Sequence, residues 1–375
     1  MKNIVKGLLF SMCALTKVYA QKPFVHPGIL FKQSSLDRMY EVVQQKTMPQ
    51  YGSYKLLEEN PLSGADYKMN GPFKVISRDG PFAYTKSKME QDFSSAYLNM
   101  LMWSATKDDS HAKRALQVLE AYADSLQVIP NTNDAPLLVG LEGFKIVNAL
   151  EILKYNYKKA DPKVLDKVAK MVTGIFLPVC EKFYDTIPYT NGNWGGIVTK
   201  MYMSAAIYLN NRKMYNKAVS FFLHGRDNGT IENYIDSATG QIQESGRDQG
   251  HSQLGIGALA TVCEIANNQG DDLYGALNNR LLTGFEYVAK YNLGNDDVPF
   301  FTWKDISGRY CNWTKISDQS RGKFIPIYEM VYNHYVAVKH LSMPYTEKVI
   351  EKIRPEGYDR DQPGFGTFLF YESDL

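Results

Sequence analysis

Apolar residues recur at three- and four-residue intervals along nearly the whole chain, the spacing that gathers them into one stripe of a helix. Leu36, Met39, Tyr40 and Val43 follow Ser34 and Ser35, which read as caps. Phe93, Ala96, Tyr97, Met100 and Leu101 form a second stripe, and Ala112, Ala115, Leu116, Leu119 and Tyr122 a third. Val147, Leu150, Glu151 and Lys154 share a further helix; Leu165, Val168, Val172 and Phe176 share the next, which Pro178 is expected to stop. The same spacing predicts helices from Gly196 to Leu209, Lys213 to Leu223, Arg247 to Asn267, Leu273 to Ala289 and Ile325 to Leu341.

Strand-like alternation is scarce, so the fold class is all-α. Roughly ten helices joined by short turns must bury their stripes against one another. An α/α toroid, an incomplete barrel of antiparallel helix pairs, does so with one core and leaves a cleft at one end. No repeat of about 34 residues argues for a solenoid, and no Ser/Gly linker divides residues 21–375, which are expected to form a single domain. Three stretches break the helical pattern, from Asn60 to Lys86, Asp185 to Gly196 and Asn292 to Lys323. Long loops in a compact helical domain commonly carry function. The tail from Arg354 to Leu375, with Pro355, Gly357, Pro363, Gly364 and Gly366, reads as an extended strap.

Residues 1–20 join Lys2 and Lys6 to the apolar run Gly7 to Leu15 and end on small residues at the cleavage positions, the pattern of a secretory signal. Met12 is a poor predecessor for a lipidated Cys13, so release into the periplasm or medium is expected. No later stretch approaches the roughly 20 apolar residues of a membrane span. Losing Lys2, Lys6 and Lys17 takes 42 bases to 39 against 40 acids. A nearly neutral chain without a basic run is not a nucleic-acid binder, and any polyanion must be gripped locally, in a cleft. Cys180, Cys263 and Cys311 are widely spaced and contain no CxxC, which argues against disulfides and zinc. Neither a metal nor a cofactor is expected. Nothing in the sequence bears on the oligomeric state. The 26 tyrosines exceed ordinary core needs and suit a groove lined for sugars.

Two segments carry candidate chemistry. Glu244-Ser-Gly-Arg247-Asp-Gln-Gly-His251-Ser-Gln253 spaces a carboxylate, a guanidinium and an imidazole by three and four residues, which places them on one face if the segment is helical. The same spacing equally suits an Arg–Glu pair beside a capped helix. Tyr189-Thr-Asn191-Gly-Asn193-Trp194-Gly-Gly196 opens another helix. Asn191 reads as a cap, whereas Asn193 beside Trp194 offers an amide for a carboxylate and a ring on which a sugar can stack.

These motifs, together with Arg321 and Tyr332-Asn-His334-Tyr335, resemble the alginate lyase superfamily of helical polysaccharide lyases over most of the mature chain, and its Bacteroides-type members in particular. The resemblance implies β-elimination of a uronic-acid polymer, alginate or a glucuronan. It also implies an Asn and Arg that neutralise the uronate carboxylate, a His or Tyr base and a Tyr acid. On that basis His251, Tyr310, Asn193 and Arg247 are assigned to catalysis; the acid is open among Tyr310, Tyr328 and Tyr332, with Tyr310 placed slightly ahead because its position on the third loop suits a residue that closes over a cleft. Trp194, Gln253, Glu244, Arg309, Arg321, Tyr332 and His334 are assigned to the acidic polysaccharide. The chain departs from better-known toroid lyases in one place, where Trp194 stands in the position of a His following the neutralising Asn; His251 is the replacement base. Such residue types are required because a proton next to an ionised carboxylate is barely acidic until donors stabilise the enolate-like state, each by about 3 kcal/mol. The rival readings are a glycoside hydrolase, for which Glu244 and Asp248 could be offered as the carboxylate pair although they stand one helical turn apart, and a non-catalytic glycan-binding protein, which would need no such constellation.

Overall fold

The computed structural model describes residues 22–189, 191–303, 305–309 and 313–372. The leader expected over residues 1–20 and Tyr310 lie outside them. No strand occurs among the described residues, which hold only isolated β-bridges such as Ile235 with Ile242.

Two sequence types of helix build two layers. α3 (Lys86–Thr106), α5 (Ala135–Tyr155), α8 (Gly192–Tyr208) and α11 (Gln249–Gln269) are buried on nearly every face. α4 (Asp109–Ser125), α6 (Pro162–Met171) and α9 (Arg212–His224) bury one stripe each, for example Ala112, Ala115, Val118, Leu119 and Tyr122 of α4. An all-round apolar helix belongs inside and an amphipathic one outside, so α3, α5, α8 and α11 pack on one another in an inner wall, with α4, α9 and α12 (Ala276–Asn292) behind them. The inner helices run in one direction. On α5, a Cβ added at Gly140 would meet Ile197 of α8 and one at Gly143 would meet Met201, so the two helices rise together. The N-termini of α8 and α11 consequently lie at one end of the ring.

Three expectations are corrected. Pro178 does not end a helix. A π-helical segment, Val172–Phe176, follows α6 and resets the hydrogen-bond register, so Pro178 falls in the first turn of α7 (Leu177–Thr186), where a missing N–H costs little. α11 begins at Gln249 rather than Arg247, because the Asp248 side chain caps it by accepting from the His251 N–H. The helix expected from Ile325 to Leu341 is a short α13 (Tyr328–Tyr332) continued by a π segment, Asn333–Val338. Its start is fixed by Glu356, whose Oε1 accepts from the N–H groups of Tyr328 and Glu329 at 2.9 and 3.3 Å.

Glu356 belongs to the tail, which is indeed a strap, and the strap crosses the inside of the ring. Within seven residues it meets α2 (Gln50–Glu58) through Ser53, α13 through Tyr328, α3 through Ser94, α8 through Lys200 and α11 through the Leu254 carbonyl. Lys200 is two helical turns beyond Asn193 and Leu254 about one turn beyond His251, so the strap floors the ring roughly 5–10 Å below those residues.

Candidate active site

Glu244 is the hub of the site. It is fully buried, and four donors converge on its carboxylate. Asn193 contributes its backbone N–H at 3.0 Å and its Nδ2 at 2.9 Å from each oxygen, Arg247 its Nη1 at 2.8 Å and Tyr234 its hydroxyl at 2.9 Å. A buried carboxylate is tolerable only when paired and bonded in this way. The expected helical face does not exist, since Glu244 and Arg247 lie in a turn before α11. The residues still converge, because that turn stands beside the first turn of α8.

Close backbone packing makes room for this. A Cβ on Gly229 would lie 2.2 Å from the Gly192 carbonyl oxygen, and one on Gly255 would lie 1.9 Å from the Tyr234 hydroxyl. Asp227 ties the loop before α8 in place by accepting from the N–H of Tyr189 at 2.6 Å and of Gly229 at 2.8 Å, while burial lifts its carboxyl to about 6.

Arg247 also donates from Nη1 to the Asn191 side chain at 3.1 Å, and its guanidinium is partly exposed. The His251 Nδ1 stands 2.6 Å from Asp248 Oδ2, with the imidazole 39% exposed and the carboxylate 10%. Burial works to raise the Asp248 carboxyl, but the bonds from the His251 ring and backbone and the charge of Arg247 outweigh it and hold the group below its usual value. The Tyr234 hydroxyl is pushed far up by burial and by Glu244, so it remains a donor.

Other assigned residues are placed differently. Trp194 is buried against the Tyr189 ring, at 5.5 Å between centroids, and offers no open face for a sugar. Gln253 spends its amide on the carbonyls of Gln249 and Lys323 and accepts from Ile325 and Tyr328, so it ties the third loop to α11. Arg321 stacks on Tyr291 and bonds the Tyr291 carbonyl and Asp296. Tyr332 donates to Glu347, and His334 is buried flat against Tyr274, with burial and then Lys339 lowering its imidazole to about 4. His334 lines a cavity beside Glu264, Asn267 and Asn268 of α11, roughly 20–25 Å along that helix from His251. Arg309 is exposed on the third loop. The structure thus brings together Asn193, Glu244, Arg247 and His251, and adds Tyr234 and Asp248.

The Asn193 amide is also turned differently from expectation. Its N–H groups face Glu244, and its Oδ1 is buried without a partner among the described residues. Beyond α10 (Ile231–Tyr234) opens a cavity of about 770 Å³ lined by Glu232, Asp236, Arg280 and the stacked rings of Phe301 and Trp303, which the sequence did not single out. Among the described residues no cluster of three or more His, Cys, Asp or Glu is arranged to hold a metal, and no helix is long and apolar enough to cross a membrane.

Comparison with solved structures finds the same helical ring. Alginate lyase A1-III complexed with a tetrasaccharide matches with a TM-score of 0.66 at 12% identity, over 91% of this chain and 95% of that one. Alginate lyase A1-III from Sphingomonas species A1 gives 0.63 at 13%, over 90% and 95%. An alginate lyase from Bacteroides ovatus gives 0.58 at 13%, over 93% and 100%. At these identities the likeness is one of fold. A search of curated proteins finds no match. The sequence model of the family described as alginate lyase matches residues 44–298, well over half of the chain. This protein belongs to the alginate lyase family and is a polysaccharide lyase.

Proposed function

We propose that this enzyme cleaves a uronic-acid polymer, alginate foremost, by β-elimination at the cluster of Arg247 and His251. The observation that carries the reading is an exposed imidazole and a partly exposed guanidinium that meet at one carboxylate oxygen, Asp248 Oδ2, 2.6 Å from His251 Nδ1 and 3.8 Å from Arg247 Nε. Arg247 then meets the uronate carboxylate and lowers the cost of the enolate-like state. His251 takes the C5 proton, and Tyr310, assigned from sequence, returns one to the leaving oxygen. With its N–H groups on Glu244, Asn193 serves as framework: it fixes the carboxylate that holds Arg247.

The hydrolase alternative loses support from the same geometry. Two carboxylates would have to face a glycosidic bond from about 5–9.5 Å apart, yet Glu244 is fully buried under four donors and Asp248 is bonded to His251.

Digestion in heavy-oxygen water tests the reaction class. Products are expected to carry an ultraviolet-absorbing unsaturated uronate and no solvent oxygen; saturated ends that contain it would overturn the reading. Residues 1–20 support action outside the cytoplasm, so the secreted form is expected to begin at Gln21 by N-terminal sequencing. A mature start at Met1 would refute export by cleavage.

A further inference from the structure

We propose that Asp248 is a positioning residue that fixes the tautomer and direction of the His251 ring, so that one carboxylate both caps α11 and orients the base. The inference rests on His251 acting as that base.

Each oxygen of Asp248 has its own task. Oδ1 accepts from the His251 backbone N–H at 2.7 Å, and Oδ2 lies 2.6 Å from the ring Nδ1 of the same residue. An ionised carboxylate only accepts, so the second contact requires a hydrogen on Nδ1. The Nε2 lone pair is then the free one, on the exposed side of a ring whose other nitrogen is turned toward the largely buried carboxylate. A histidine in the first turn of a helix otherwise samples several staggered rotamers. Here backbone and ring are held by a single side chain, and the Arg247 Nε, 3.8 Å from Oδ2, faces the same oxygen.

The cap alone does not call for a carboxylate. Ser, Thr and Asn cap helices comparably, so a purely structural Asp248 is replaceable by Asn. The ring is the part that is not. In Asp248→Asn the Oδ1 cap survives, but the amide presents N–H to Nδ1. That moves the ring hydrogen to Nε2 and aims the lone pair at Asn instead of the cleft.

Asp248→Asn is therefore expected to keep the wild-type melting temperature and KM while kcat falls by about 100-fold or more, the range of a lost general base. Nitrogen-15 NMR of the histidine rings is expected to find the His251 hydrogen on Nδ1 in the wild type and on Nε2 in the variant. Asp248→Ser, which retains a cap and removes the ring's partner, is expected to fold and to lose kcat as well. Unchanged kcat in Asp248→Asn, or a ring hydrogen that stays on Nδ1, would overturn the proposal. If His251→Ala retains its rate on every uronan, the base reading falls; the tautomer measurement, which needs no turnover, separates that failure from one of Asp248 itself.

Discussion

At the scale of single residues the site is an exercise in satisfying one buried carboxylate. Glu244 meets donors only, so Glu244→Gln would place an amide NH2 against Asn193 Nδ2 and either Arg247 Nη1 or the Asn193 backbone N–H, none of which can accept. Unpaired buried donors cost about 1–3 kcal/mol. The variant is expected to melt several degrees lower in calorimetry and to lose most of its kcat, because Arg247 is no longer held. Asn193→Ala is expected to lower kcat more than it changes KM in steady-state assays, and an effect confined to KM would make Asn193 a binding residue. Asn193, Glu244, Arg247 and His251 were legible in the sequence, because unusual side chains sit within short motifs. Tyr234 was not, being one of 26 tyrosines with no local signature; only the fold brings its hydroxyl to Glu244. Trp194, Gln253, Arg321 and His334 show the converse limit. Their chemistry suits a sugar or a carboxylate, but direction is set by packing that no local motif encodes.

At the scale of elements, helical periodicity reveals which segments are helices and, through its width, which lie inside. It misses what tertiary contacts decide, such as the π segment that accommodates Pro178 and the Glu356 carboxylate that starts α13. The junction of α10 and α11 depends on one such contact. A methyl group on Gly255 would lie 1.9 Å from the Tyr234 hydroxyl, and overpacking of this kind costs about 1–3 kcal/mol. Gly255→Ala is expected to lower both the melting temperature and kcat by displacing Tyr234 from Glu244. Gly174→Ala, whose added carbon meets nothing within 4 Å, is the control and should be neutral or slightly stabilising in the same melts.

At the scale of the whole molecule the ring was legible from the sequence, but the path of the strap through it was not, because a Pro/Gly-rich tail carries no periodicity to say what it touches. The strap makes stability depend on pH. Burial, reinforced by Glu329, raises the Glu356 carboxyl from 4.5 to about 8. The folded state therefore holds a proton that the unfolded chain releases, and stability falls as pH rises from the unfolded value through the folded one. The melting temperature is expected to drop between about pH 5 and pH 8, with the strap cut more readily by proteases at the upper end. Glu356→Gln should flatten that dependence, and an unchanged slope would show that other groups set it.

The strap also places a constraint on timing. Ribosomes deliver a chain at about 5–20 residues per second from its N-terminus, and structure forms in that order where it can. Here every helix of the inner wall is synthesised before the segment that receives the Lys200 ammonium, caps α13 and bonds the Leu254 carbonyl. The wall therefore waits with buried polar groups unmet, and the nascent chain has no finished interior to lock. Such a chain remains pliable until it has been made almost in full, a property that would serve the export proposed from residues 1–20.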